Sequence, residues 1–171
     1  MTYMVATLRA VTTDTPESVF HIIIDESDVA RASGFGSLRE LTRRLPEELQ
    51  EITITSVKNH PYEGHLQAYF AGDKTVLDNI PRDQTGTAFQ QRVWHTIGSV
   101  PYGQTISYKQ LAERSGNPAA VRAAGTICGL NRLILLIPCH RVLKSDGGIG
   151  NYLYGAEIKT SLLRREGALG A

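Results

Sequence analysis

Hydrophobic positions in the first half of the chain alternate between two periods. Residues 19–24 (VFHIII) and 51–57 (EITITSV) are β-branched and apolar, with Ile52 and Ile54 on one face, which predicts strands. Between them, Leu38, Leu41 and Leu45 recur at helical spacing behind a Ser37–Glu40 capping-box pattern, and Pro46 stops the run. A second helix is predicted over 62–71, with Leu66, Tyr69 and Phe70 turned inward and Gly72 as its terminator. Strands interleaved with helices make residues 1–80 an α/β lobe, expected to hold a small antiparallel sheet.

Residues 81–86, with Pro81, Arg82, Asp83 and Gly86, have linker composition. The pattern beyond them is mainly helical, so 87–171 is expected to be a second domain. Thr87 and Gln90 repeat the capping box before the stripe Phe89, Val93, Trp94 and Ile97. Ser107 and Gln110 form a third, opening a helix that closes at Gly116. Asn117 then suits an N-cap and Pro118 the first helical position, so AAVRAAGTICG is predicted helical. Two short helices joined by Gly-Asn-Pro read as a helix-turn-helix. Its second helix lacks the long polar side chains that read a major groove. Ala120, Ala123, Ala124 and Gly125 make it thin, and Arg122 is its one long cation. Such a surface suits close approach in a narrow groove, and equally suits tight packing against a neighbour.

The five apolar residues 133–137 predict a buried strand or extended segment that ends at Pro138. Cys139, His140 and Arg141 follow at once. An ordinary thiol has a pKa of about 8.5 and needs a base or a positive field to react. His140 and Arg141 offer both, although adjacent residues of an extended chain point apart, so a local turn or a bridging water is required. Taken alone, such a pair is more often accidental than catalytic.

Composition narrows the setting. A chain of 171 residues, 42% hydrophobic and 20% charged, buries a core without staples. It has no 18-residue apolar run, and its start lacks signal-peptide regions, so the cytoplasm is expected rather than secretion or a membrane. Cys128 and Cys139, eleven positions apart, fit neither a zinc site nor a disulfide framework. His21, His60 and His65 are scattered and read as ordinary satisfied or solvated side chains. The net charge of +1 conceals an asymmetry: residues 1–85 hold 8 Lys+Arg against 13 Asp+Glu, whereas 86–171 hold 10 against 4. A basic half suits a phosphate backbone.

IPCHRVL, around Cys139, resembles the active-site signature of the O6-alkylguanine-DNA alkyltransferases, also called methylated-DNA–protein-cysteine methyltransferases. FQQRVW from Phe89, PYGQTISY from Pro101, GNP from Gly116, VRAAG from Val121 and GNY from Gly150 fall in that family's order. The resemblance covers residues 86–167 and is loose over the first 80. It implies that Cys139 takes an alkyl group from O6 of guanine in double-stranded DNA in one displacement and keeps it, so that the protein is consumed. It implies further that His140 is the base, acting through water, that Glu166 orients it, and that Tyr108 gives a proton to the departing guanine. Arg122 would replace the flipped nucleotide in the duplex, with Ala120, Ala123, Ala124 and Gly125 against the groove. Asn131 and Arg141 would be structural. No cofactor and no metal are implied, and the expected state is a monomer, with cooperative binding along DNA left open.

Two departures from the family pattern bear on substrate range. Leu153 and Tyr154 follow Asn151 and Tyr152 where small residues are usual, and either narrow the alkyl pocket or give it an aromatic wall. Arg132 stands where proline is common, as a phosphate contact or a loosening of the segment. Three other classes compete. A damage-recognition module without chemistry would lack Cys139, a transcription regulator would need a basic recognition helix and a sensor domain, and a Cys-His hydrolase would need an oxyanion site.

Overall fold

The structure, a computed structural model, describes residues 7–169. Two compact units divide after Gln84; the first also takes in Arg132–Leu136, and the second holds Thr85–Asn131 and the chain from Ile137 onward.

The first unit is built on β1 (Leu8–Asp14), β2 (Val19–Asp25), β3 (Ala30–Phe35) and β4 (Ile54–Val57), in the order β3-β2-β1-β4. β1 and β3 each run antiparallel to β2. β4 lies parallel to β1, so the sheet is mixed rather than wholly antiparallel. The reason is the connection. The chain leaves β3 through α1 (Leu38–Arg43) and α2 (Glu47–Gln50), and a helical crossover returns the next strand in the same direction, which a tight hairpin cannot do. Six of the seven β2 residues are buried, so both faces are covered and the continuous apolar run in 19–24 is what such a strand requires. Leu8, Ile23 and Ala32 of the sheet meet Leu41 and Leu45 in one cluster, flanked by Leu38, Leu49, Ile52 and Ile54. The next helix, α3 (Pro61–Phe70), packs on β1. His21 is a satisfied core histidine, with Thr12 Oγ1 at 2.8 Å from Nδ1 and the Gly36 carbonyl at 2.7 Å from Nε2.

The division after Gln84 falls within the 81–86 stretch, whose first residues are anchored: the Ala30 N–H donates to the Pro81 carbonyl, the Asp83 N–H donates to that of Ala30, and Arg82 donates to the carbonyls of Leu77, Ile80 and Leu136. One expectation needs correction. Residues 133–137 are not a strand. Only Leu133 pairs with the sheet, opposite Ser33, after which the chain turns, with Leu135 in the left-handed region at φ 68°. Ser33 holds the segment by donating its N–H to Arg132 O at 2.9 Å and its Oγ–H to Ile134 O at 2.6 Å. A buried turn and a buried strand demand the same apolar run, so hydropathy does not separate them.

The second unit holds α4 (Ala88–Gly98), β5 (Ile106–Ser107), α5 (Tyr108–Arg114), α6 (Val121–Gly129), β6 (Val142–Leu143) and α7 (Ala156–Arg165). Thr87 and Ser107 each close a reciprocal capping box with the glutamine three residues on. Val93, Trp94 and Ile97 face inward, and the Trp94 indole N–H donates to the Ile127 carbonyl at 3.2 Å. The α5–α6 pair is the helix-turn-helix, but α6 begins at Val121 and not beside Pro118. Gly116, at φ 94°, and Asn117 donate their N–H groups to the carbonyls of Glu113 and Ala112, which closes α5 with a Schellman motif. Asn117 therefore ends one helix instead of starting the next, and a further turn, Ala120 N–H to Asn117 O, precedes α6.

Candidate active site

The residues after 133–137 are placed by a tight turn at Pro138. With φ −80° and ψ 66°, it is the centre of an inverse γ-turn in which the Cys139 N–H donates to the Ile137 carbonyl at 2.8 Å. The same carbonyl accepts the Asn131 side-chain amide at 2.8 Å, so Asn131 fixes the turn from the end of α6. Cys139–Arg141 then form a single 3₁₀ turn. This is the local turn that the extended-chain argument required, and it leaves Cys139 and His140 both buried.

Glu166 caps the C-terminus of α7 and meets this turn. Its Oε2 accepts from His140 Nε2 at 2.9 Å, and Arg141 donates to Oε1 at 2.8 Å and to Oε2 at 3.0 Å. Arg141 also donates to the Val100 carbonyl at 2.6 Å, which locks the fork in place. Burial raises the Glu166 pKa, but the hydrogen bonds and charges of His140 and Arg141 outweigh it and hold the carboxyl down at about 2. Glu166 is therefore ionised and can only accept, so Nε2 of His140 carries the hydrogen and Nδ1 carries the lone pair. Burial pulls the imidazole below its ordinary pKa of 6.5, against the opposing pull of Glu166. His140 is thus neutral near pH 7, and its Nδ1 is buried with no hydrogen-bond partner among the described residues.

Tyr108 opens α5 and lies between α6 and the loop before α7. A methyl group on Gly125 would contact its ring at 3.6 Å, and one on Gly150 would come within 3.0 Å of its hydroxyl. Gly150 also has φ 78°, so both backbone and space require glycine there. Burial above all, with the adjacent thiols of Cys128 and Cys139, pushes the phenol up to about 12, which keeps it protonated.

The 6-O-methylguanine DNA methyltransferase DNA-binding domain family matches residues 88–168. The methylated-DNA–protein-cysteine methyltransferase of Salmonella typhimurium is 41% identical over 161 residues, covering 91% of this chain and 93% of that one. The chain belongs to the methylated-DNA–protein-cysteine methyltransferase family. The bifunctional transcriptional activator and DNA repair enzyme Ada of Escherichia coli is 49% identical over 128 residues, and the chain spans only 36% of its length. The crystal structure of a variant of the Mycobacterium tuberculosis O6-methylguanine methyltransferase superposes with a TM-score of 0.79 at 30% identity, over 96% of each chain. OGT of the same organism in complex with DNA gives 0.78 at 29% identity, over 94% of this chain and 93% of that one.

Against this family, the remaining sequence-predicted residues separate into groups. Arg122 and Ala123 are exposed on the outer face of α6, Ala120 is half-buried at its cap, and Gly125 backs onto Tyr108. Ala124 is fully buried with Ile127 and Cys128 on the inner face, so it packs the helix and does not belong to the outward surface. In the loop, Leu153 points outward at 49% exposure, while Tyr152 and Tyr154 pack edge to face with ring centroids 5.9 Å apart. Asn151 is exposed. Arg132 is half-buried and does not loosen its segment: it donates from Nε to the Arg44 carbonyl at 2.8 Å and from its backbone to Gln84 Oε1 at 3.0 Å.

Sequence reasoning missed Lys159. It is fully buried, and its ammonium donates to the carbonyls of Val142 at 2.7 Å and Asn151 at 3.1 Å, 5.8 Å from the centre of the Tyr108 ring. It ties the loop to the strand that follows the 3₁₀ turn. The signal was available: Lys159, Leu162, Leu163 and Glu166 follow the i, i+3, i+4, i+7 spacing of one buried face.

Proposed function

We propose that this chain repairs DNA by direct reversal, moving an alkyl group, typically methyl, from O6 of guanine in double-stranded DNA to Cys139. The observation that carries the reading is the histidine next in the chain to the buried thiol, with one nitrogen tied to an ionised carboxylate and the other a buried lone pair. In this mechanism His140 Nδ1 takes the Cys139 proton through a water molecule. The thiolate attacks the alkyl carbon: the S–C bond forms, the C–O6 bond breaks, and the electron pair passes to the purine. Tyr108, still protonated, returns a proton to the ring. The displacement balances without a cofactor or a metal. It ends in a thioether, which is not a leaving group here, so each chain acts once. Arg122 fills the duplex where the target nucleotide is flipped out, since a thiol buried in the protein cannot reach O6 of a base that stays in the stack. Asn131, Arg141 and Glu166 position these groups. The protein acts as a monomer in the cytoplasm. The relatives named for this activity, matched over almost their whole length in the Salmonella case, support the reading.

Intact-protein mass spectrometry after mixing with a short duplex carrying one O6-methylguanine tests it. The expected result is a gain of one methylene on Cys139, stoichiometric and without turnover. Tight binding at unchanged mass would overturn the transfer and leave a recognition module.

A further inference from the structure

Cys128 belongs to none of the chemistry above, yet it is the other cysteine of the chain and it lies against the nucleophile. It sits on the inner face of α6, whose C-terminal end carries Asn131 and the Pro138 turn. Its Sγ is 3.8 Å from the Cys139 carbonyl oxygen. The two thiols are also within hydrogen-bond reach of each other; that bond and burial push Cys128 well above the ordinary thiol range. No disulfide joins them, and both are buried.

We propose that Cys128 and Cys139 form a reversible disulfide, with Cys128 as the resolving thiol that protects a single-use nucleophile from irreversible oxidation. The oxidant is a peroxide. The Cys139 thiolate attacks one peroxide oxygen, the S–O bond forms as the O–O bond breaks, and an alcohol or water leaves after protonation, giving a sulfenic acid. The Cys128 sulfur then attacks the Cys139 sulfur. The S–S bond forms, the S–O bond breaks, and hydroxide leaves as water with the proton that Cys128 gives up. Two thiols have lost two electrons and the peroxide has gained them. A dithiol reductant reverses the step by exchange. Without a resolving thiol, the sulfenic acid proceeds to sulfinic acid, which dithiols do not reduce.

The inference rests on Cys139 being nucleophilic but not on alkyl transfer, and its test uses no DNA in the first instance. The reduced full-length chain is treated with limiting hydrogen peroxide, quenched with N-ethylmaleimide and digested without reductant. The expected product is one chain in which the Cys128 and Cys139 peptides are joined with the loss of two hydrogens. Methyl acceptance from O6-methylguanine duplex falls in proportion to that linkage and returns with dithiothreitol. In Cys128→Ala, dimedone labels Cys139, and the same peroxide dose causes a loss that dithiothreitol does not restore. Wild-type protein in which Cys139 is trapped by dimedone or oxidised to sulfinic acid while Cys128 stays a thiol overturns the proposal. So does a linkage joining two chains. Because the mapping on the wild type stands alone, a misfolded variant does not decide the matter.

Discussion

Glu166 accepts hydrogen bonds from two basic side chains, His140 and Arg141, and each has a different consequence. Glu166→Gln keeps the size but loses the charge, freeing the imidazole to take either tautomer and leaving Arg141 beside a neutral amide. Transfer should slow by roughly 100-fold, the range for a misplaced general base, and stability should fall by about 3 kcal/mol for a half-broken buried ion pair. Single-turnover transfer and urea unfolding read the two; an unchanged rate would remove Glu166 from the relay. The pH dependence follows from the same residues. His140 and Glu166 both have folded-state pKa values below their unfolded ones. Each therefore contributes stability that is present above its unfolded value and lost as pH falls through its folded value. The urea midpoint should be flat between about pH 6.5 and 8, and on the acid side decline through the histidine range and again toward the value of about 2 held by Glu166. The acid limb of the transfer rate should lie below pH 6.5, the ordinary value of the imidazole. A limb above it would mean that the base is not this buried histidine. For Tyr108→Phe, transfer should slow by about tenfold or more at nearly constant DNA affinity, checked by rate and binding on the same duplex. Equal rates would end its assignment as proton donor.

At the scale of elements, the outer face of α6 is the test. Small residues and one arginine suit close approach to a groove, and Ala124 shows that part of that smallness serves packing instead. Arg122→Ala should weaken repair in duplex DNA by at least tenfold, since losing an inserted side chain exposes an unstacking cost of a few kcal/mol. Reaction with free O6-alkylguanine should be nearly unchanged, because the free base needs no flipping. Equal losses in the two assays would sink the inserted-arginine role. The helix-turn-helix was legible because the Ser107–Gln110 capping box and the Gly116 stop are local signals. The start of α6 was not, because Asn117 and Pro118 suit a helix start as well as the exit from a Schellman cap, and only the Asn117 N–H bond to Ala112 decides between them. The His140–Glu166 contact joins residues 26 apart, so it entered the sequence reading through family resemblance and not through spacing.

For the whole molecule, the excursion of Arg132–Leu136 into the first unit was the least legible feature, since it rests on one serine, Ser33, meeting a segment 101 residues away. The charge asymmetry was legible, but the cations it counts are not equivalent. Of the ten Lys and Arg beyond residue 85, Lys159 is buried, Arg141 is held by Glu166, Arg132 is tied to Arg44, and Arg165 is half-buried. Arg92, Lys109, Arg114, Arg122, Lys144 and Arg164 are exposed. Each phosphate neutralised contributes a slope of about −0.9 to log K against log salt concentration, so six cations cap the slope at about −5. Binding of an undamaged duplex, titrated from low to physiological salt, should give a slope no steeper than that. A markedly steeper dependence would require the acidic half to supply phosphate contacts, which its excess of carboxylates opposes, or more than one chain to bind each duplex. Arg122→Ala should make the slope shallower by about one if its guanidinium rests on a phosphate, and leave it unchanged if the side chain is inserted into the base stack. An unchanged slope together with the tenfold loss of duplex repair is the outcome the base-flipping mechanism requires.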